Sequence, residues 1–172
     1  MGNSIGLKNG IKNSNILYEK AKKVIGSGTN TFSRAPGVFP DGVAPKFLDK
    51  QDGCHTWDVD GNEFIDMVMG CGPVTLGHNH PVINNAIKEQ VDKIITVHSS
   101  LYNKTREGFL KKLIEMAPEG LTQVHLNNSG AEAVEAAMKF ARKFTGKKGM
   151  VAMKGSYHGK SFGALSLTFN PK

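Results

Sequence analysis

Two short segments in the last third of the chain carry residue types and spacings that could do chemistry. The first covers residues 127–133 and reads Asn-Asn-Ser-Gly-Ala-Glu-Ala, where a helical pattern begins. Free backbone N–H groups and the positive end of the helix dipole converge at such a start, which suits an anion. Gly130 and Ala131 are small enough to let a ligand approach the backbone. The pattern is compatible with an anion site at this helix start.

The second segment, residues 155–159, reads Gly-Ser-Tyr-His-Gly and follows one short apolar stretch later. It places the ring of Tyr157 and the imidazole of His158 on a loop flanked by glycines. A phosphate held at the helix start, with a flat ring covered by an aromatic side chain, would suit pyridoxal phosphate. The two segments together therefore favour a pyridoxal-phosphate site.

Both segments also have interpretations that need no ligand. Ser129 and Glu132 have the spacing of a capping box, in which Glu132 returns to the backbone of Ser129. A glutamate folded over the helix start would compete with a phosphate for the same N–H donors. Tyr157 and His158 could equally form an ordinary surface pair.

Metal binding and disulfide bonding gain no support from the sequence. His78 and His80 lie close together, but no nearby carboxylate or cysteine completes a ligand set, so they are interpreted as a polar lead-in to a helix and no metal is predicted. Cys54 and Cys71 are the two cysteines, with no metal-like spacing, which favours a reduced, cytoplasmic protein.

The elements around the two segments predict an α/β fold. Short apolar strands at 123–126 and 150–153 enclose a helix over 129–144, which Gly146 ends. A strand–helix–strand unit of this length predicts parallel strands joined by a right-handed crossover. Ligands bind beyond the carboxyl ends of such strands, and both segments follow a strand. One such unit lacks the further strands of a covered parallel sheet, so we expect part of a larger domain.

The preceding part of the chain has a different organisation. Ser14 is predicted to cap a helix over 15–25, and a long loop rich in glycine and proline follows. A hairpin is predicted around Asp60-Gly61, with its returning strand over 63–68. Two more helices are expected, one beginning at Pro81 and one over 104–116. We expect a small-domain segment over residues 1–75 and the start of a large domain over 76–172.

Composition argues against several classes of protein. The net charge is +7, but the lysines are spaced as on a solvated helix surface, without the interleaved aromatic residues of a nucleic-acid interface. No run of eighteen apolar residues predicts a membrane span, and the first residues lack the apolar core of a signal peptide. Nucleic acid and membrane are therefore not expected as partners.

Several segments, in the right order, resemble the N-terminal part of class III aminotransferases of the pyridoxal-phosphate fold type I superfamily. Residues 17–34, 57–66 and 76–81 look most like glutamate-1-semialdehyde aminomutase. Residues 128–137, 157–159 and 163–168 are similar to acetylornithine and 4-aminobutyrate aminotransferases. Cys71 stands where the aminomutase has a tryptophan, so the choice between an aminotransferase and an aminomutase stays open.

The resemblance implies roles for individual residues. Ser129, Gly130 and Ala131 would bind the phosphate of pyridoxal 5'-phosphate, and Tyr157 would stack on its ring with His158 beside it. Thr31 and Arg34 match positions that meet the substrate in the aminomutase, with Arg34 as the clamp for a carboxylate. Without a ligand, Arg34 would simply be solvated in its loop.

The resemblance also implies what the chain does not contain. The lysine that forms the Schiff base and the aspartate that pairs with the pyridine nitrogen would lie beyond residue 172. No catalytic residue is therefore predicted here, and the 172-residue chain alone is expected to be inactive. The intact enzyme would transfer an amino group to or from an amino acid, amine or amino-aldehyde, as a homodimer. The alternative is a shortened, non-catalytic protein that binds phosphate or dimerises.

Overall fold

The computed structural model describes residues 7–31 and 35–169, and the chain divides after Thr96 into two compact units. Within these described ranges, the first unit holds two α-helices, a three-stranded sheet and three short 3-10 turns, and the second holds three α-helices. The elements of the first unit are α1 (Lys12–Lys22), the 3-10 turns Gly26–Gly28 and Pro36–Val38, β1 (Leu48–Asp52), β2 (His55–Asp58), β3 (Glu63–Ile65), the 3-10 turn Met69–Cys71 and α2 (Pro81–Lys93). Those of the second are α3 (Lys104–Met116), α4 (Gly130–Thr145) and α5 (Phe162–Leu167).

Helix α1 begins three residues before its predicted start, so the prediction that Ser14 caps it is wrong. Ser14 lies inside the helix and is fully buried. The cap comes instead from Asp60, whose carboxylate accepts from Asn13 N at 2.7 Å and from Ser14 N at 2.9 Å. A donor–acceptor pair so distant in sequence leaves no local signal, which is why the helix start was misplaced.

The sheet of the first unit is antiparallel in the order β1-β2-β3. The predicted hairpin turn at Asp60-Gly61 is confirmed, and Gly61 takes a φ of 80° that favours glycine. Asp58, only 2% exposed, fastens the turn by accepting from Asn62 N at 2.8 Å. Strand β3 ends at Ile65, earlier than predicted, because the next carboxylate turns the chain. That carboxylate, Asp66, accepts from the N–H groups of Val68 and Met69.

The helices that follow begin and end as local signals predict. Pro81 occupies the first turn of α2, and α3 spans the predicted residues 104–116 behind Asn103, whose side chain accepts from Arg106 N at 2.9 Å. Helix α4 has Ser129 as its N-cap and ends at Gly146 in the left-handed conformation. None of the helices in the two described ranges is long and apolar enough to cross a membrane.

The two strands predicted in the second unit are not formed. Residues 121–127 and 149–153 belong to no β-ladder, so the parallel strand pair expected on either side of α4 is absent from residues 97–169. Val151 is 96% exposed and Met153 is 80% exposed. An apolar run indicates a preference for a buried sheet, but a strand forms only where a neighbouring segment completes its ladder.

Candidate functional site

The two segments singled out in the sequence lie against each other in the second unit. A Cβ placed on Gly159 would lie 2.6 Å from Ala131 Cβ and 3.0 Å from Ala131 Cα. It would also lie 3.2 Å from Ala164 Cβ, and the φ of Gly159 is +125°. Only glycine satisfies both the space and the conformation. The aromatic loop, residues 155–159, is therefore in direct contact with the first turn of α4.

The start of α4 forms a capping box whose pairing differs from the predicted one. Ser129 Oγ accepts from Glu132 N at 3.2 Å, as expected. The Glu132 carboxylate accepts from Asn128 N at 2.8 Å, and not from the Ser129 backbone. The box is thus displaced by one residue toward the preceding loop, because the turn before the helix aims the Asn128 N–H at the carboxylate.

This displacement leaves the first N–H groups of α4 available. Among the described residues, no group accepts from the backbone N–H of Ser129, Gly130 or Ala131. A Cβ on Gly130 would meet nothing within 4 Å, so the space beside these donors is open. Unpaired N–H groups at the positive end of a sixteen-residue helix can hold an anion.

The aromatic loop presents its ring outward while its backbone is fixed. Tyr157 is 67% exposed, so its ring is free to cover a ligand. His158 N–H donates to Thr168 Oγ1 at 3.0 Å, and the N–H of Phe169 donates to Ser156 O at 2.9 Å. These two bonds tie the loop to the chain that leaves α5.

The hydrogen bonds of Ser156 assign the tautomer of His158. Ser156 Oγ donates its single proton to Met153 O, 2.6 Å away, and also lies 3.0 Å from His158 Nε2. The hydroxyl can therefore only accept from the imidazole, so Nε2 carries the hydrogen. In the neutral ring, Nδ1 is then the acceptor.

A carboxylate that the sequence analysis missed holds α5 against α4. Glu135 Oε1 accepts from Ser161 Oγ at 2.8 Å, from Gly163 N at 2.7 Å and from Ala164 N at 3.1 Å. These bonds, that of Ser161 first, lower the pKa of Glu135, which keeps the carboxylate ionised. Nothing local in the sequence marks this contact, since its partners lie 26 to 29 residues away.

Of the two residues predicted to meet a substrate, Thr31 lies within the described residues and Arg34 does not. Thr31 is in the first unit, half-buried, and its N–H donates to Thr29 Oγ1 at 3.1 Å, which closes a small turn. Arg34 lies outside the described residues. In the ranges 7–31 and 35–169, no group of three His, Cys, Asp or Glu side chains is placed to hold a metal ion.

The first unit contains a second polar cluster, around His78. His78 Nε2 lies 2.7 Å from Asp66 Oδ2, and both side chains are largely buried. The His78 backbone also bridges Gly53 in both directions, at 2.8 and 3.0 Å. The interpretation of His78 as a simple polar lead-in was incomplete, because its ring ties the end of β3 to the approach of α2.

Comparison with known proteins decides the family. The sequence profile of class III aminotransferases matches residues 39–172. The chain belongs to the class III aminotransferase family. It is 41% identical over 143 residues to an acetylornithine aminotransferase of Methanopyrus kandleri, covering 83% of this chain and 34% of that protein. It is 36% identical over 146 residues to a glutamate-1-semialdehyde 2,1-aminomutase of Syntrophobacter fumaroxidans, covering 85% and 33%.

Solved structures of transaminases share the fold. An omega-transaminase from Sphaerobacter thermophilus aligns with a TM-score of 0.73 and 30% identity, over 86% of this chain and 32% of that one. A transaminase with PLP bound aligns with a TM-score of 0.76 and 25% identity, over 87% and 34%. The predicted fold class, the fold type I of pyridoxal-phosphate transferases, is confirmed. The chain spans about a third of the length of the curated relatives it matches.

Proposed function

We propose that the protein is an amino-group-transferring enzyme of the class III family and that this chain supplies its site for pyridoxal 5'-phosphate. The contact of Gly159 with Ala131 carries the proposal, because it brings the loop that carries the exposed Tyr157 against a helix start with unpaired donors. The open space at Gly130 and the three unpaired N–H groups fit a phosphate. The names of the relatives agree with this chemistry.

Each residue then has a distinct task. The N–H groups of Ser129, Gly130 and Ala131 would hold the phosphate, and the ring of Tyr157 would lie over the pyridine. His158 would present Nδ1 as an acceptor beside the ring. Bound pyridoxal phosphate supplies the electron sink for the carbon that carries the amino group. The residues named here bind and orient it.

No residue of this chain is assigned the covalent step. Lys154 and Lys160 flank the aromatic loop, but neither matches the position of the family's catalytic lysine. Thr31 and Arg34 stay proposed contacts for a substrate, with Arg34 pairing with a carboxylate. The proposed substrates are amino acids or amino-aldehydes, in line with the names of an aminotransferase and an aminomutase among the relatives.

The proposal also includes the oligomeric state of the protein and its location in the cell. We propose a homodimer, which the family resemblance implies and which sedimentation equilibrium would measure directly. We also propose the cytoplasmic location that the use of cysteine indicates, since the chain has two cysteines, Cys54 and Cys71, without metal-like spacing. Fractionation of the source cells tests that location.

Calorimetric titration with pyridoxamine phosphate tests the cofactor site. This probe has no aldehyde, so it cannot react with the lysines of the chain. We expect it to bind more tightly than pyridoxamine, which lacks the phosphate. G130D would place a carboxylate among the helix-start donors, and G130N would add the same bulk without the charge, so G130D should weaken binding about tenfold more than G130N does. Equal affinity for the two probes in the wild-type protein would contradict the proposal.

A further inference from the structure

Glu135 lies on α4 one turn after Ala131 and contacts neither the proposed phosphate donors nor the aromatic ring. We propose that it is a positioning residue, which holds the aromatic loop in place over the start of α4. This inference rests on the proposed function, since it assigns the loop the task of covering the cofactor ring. Glu135 would act on the site through its bonds to α5.

Glu135 attaches α5 to α4. One carboxylate oxygen of Glu135 accepts three hydrogen bonds, from the Ser161 hydroxyl and from the N–H groups of Gly163 and Ala164. All three donors belong to the first turn of α5 or its N-cap. The ionised acceptor makes these bonds stronger than bonds between neutral groups. Helix α5 is therefore fixed at its beginning by a side chain of α4.

Helix α5 and the residues that follow it contact the aromatic loop. Ala164 is fully buried, and its Cβ lies 3.2 Å from the position of a Cβ on Gly159. After the helix, Thr168 Oγ1 accepts from His158 N–H at 3.0 Å and lies 2.9 Å from Gly159 O. Moving α5 would therefore displace Ala164, which packs against Gly159, and Thr168, which accepts from the His158 N–H.

Positioning of the aromatic loop by Glu135 can be distinguished from a general contribution to folding. The contacts of Glu135 lead to the loop that carries Tyr157, whereas the N–H groups of residues 129–131 belong to α4 itself. Loss of the carboxylate should therefore release the ring contact and leave the phosphate donors in place. A merely structural role would weaken both together.

The test uses the 172-residue chain with two substitutions at one position. E135L removes the acceptor, while E135Q keeps an amide oxygen that can accept from the same three donors. E115L is the matched control, because the one bond of the Glu115 side chain to any described residue is an exposed ion pair with Lys112 at 3.4 Å on α3. Calorimetry measures the affinity for pyridoxamine phosphate and, separately, for inorganic phosphate. Amide hydrogen exchange reports on residues 157–164.

We expect E135L to bind pyridoxamine phosphate about three- to tenfold more weakly, the range of one lost aromatic contact. Its affinity for inorganic phosphate should change less than about twofold, and its amides at His158, Gly163 and Ala164 should exchange faster. E135Q should recover affinity to within about threefold of the wild type, because a neutral acceptor makes weaker bonds. E115L should match the wild type throughout.

Three results would overturn the inference. Unchanged pyridoxamine phosphate affinity in E135L would refute it while the proposed function stands. Equal loss of affinity for both probes would show a general structural role instead of positioning of the loop. Wild-type protein that binds pyridoxamine phosphate no better than pyridoxamine would refute the proposed function, and the role of Glu135 with it.

Discussion

Gly159 and Ala131 approach each other so closely that a methyl group on Gly159 would overlap the Ala131 side chain at 2.6 Å. This contact joins two segments that are 28 residues apart and gives the candidate site its shape. The backbone of Gly159 is also in a conformation that other residues rarely adopt, at φ +125°. The loop can reach the helix only because this position has no side chain.

The substitution G159A should therefore destabilise the second unit by about 2 kcal/mol, through overlap and backbone strain together. Urea denaturation followed by circular dichroism measures the loss. The double variant G159A/A131G should recover part of it, because removing the Ala131 methyl relieves the 2.6 Å overlap but neither the 3.0 Å approach to Ala131 Cα nor the backbone strain. The control is G149A, where an added Cβ meets nothing within 4 Å. A stability of G159A equal to that of G149A would contradict the reported contact.

The cap of α3 gives a second prediction. Asn103 accepts from Arg106 N at 2.9 Å, so N103A would leave a helix-start donor without its partner. We expect a loss of about 1 kcal/mol in the free energy of unfolding, while N103D, which keeps a side-chain acceptor, should stay near the wild type. Denaturant titration of the wild-type protein, N103A and N103D measures these free energies of unfolding. Wild-type stability in N103A would mean that water replaces the cap at no cost.

The helix caps show what the sequence can and cannot predict. Asn103 and Ser129 cap their helices through residues three positions away, and both helix starts could be read from the sequence. Asp60 and Glu135 cap helices from 26 or more residues away, and neither was foreseen. Local hydrogen bonds leave a spacing signal, whereas long-range ones depend on the finished fold.

The same distinction applies to the strands and to the candidate site. The hairpin at Asp60-Gly61 was predicted because its turn is local, while strands at 123–126 and 150–153 require a partner that the pattern does not specify. For the site, residue types predicted the helix start and the loop separately. Their meeting at Gly159 depends on α5, whose attachment by Glu135 is a tertiary contact.

The Asp66–His78 pair predicts how acid affects the first unit. The hydrogen bond from His78, followed by those from the Met69 and Val68 backbone, lowers the pKa of Asp66 below its ordinary value. A carboxyl whose folded pKa is depressed stabilises the fold above its unfolded pKa, and this contribution is lost as pH falls through the folded value. D66N has no such charge to lose.

The gap in unfolding free energy between wild type and D66N should therefore be largest at neutral pH and shrink as pH falls below about 4. Urea denaturation of both proteins across that range measures it. D49N is the control, because Asp49 lies on the exposed strand β1 and makes no recorded side-chain bond within the described residues. A gap that does not change with pH would contradict an ionised Asp66 in the folded protein.

The last prediction concerns the tautomer of His158. In the wild-type protein, Ser156 Oγ donates to Met153 O and can only accept from the imidazole, which places the hydrogen on Nε2. S156A removes that acceptor, so the neutral ring should populate both tautomers. Nitrogen chemical shifts of histidine, recorded at roughly pH 8 where imidazole is neutral, distinguish the two nitrogens directly. S166A is the control, because Ser166 Oγ donates to Gly163 O, away from the ring. Identical His158 nitrogen shifts in wild type and S156A would mean that Ser156 does not set the tautomer and that Nδ1 is not held ready as an acceptor.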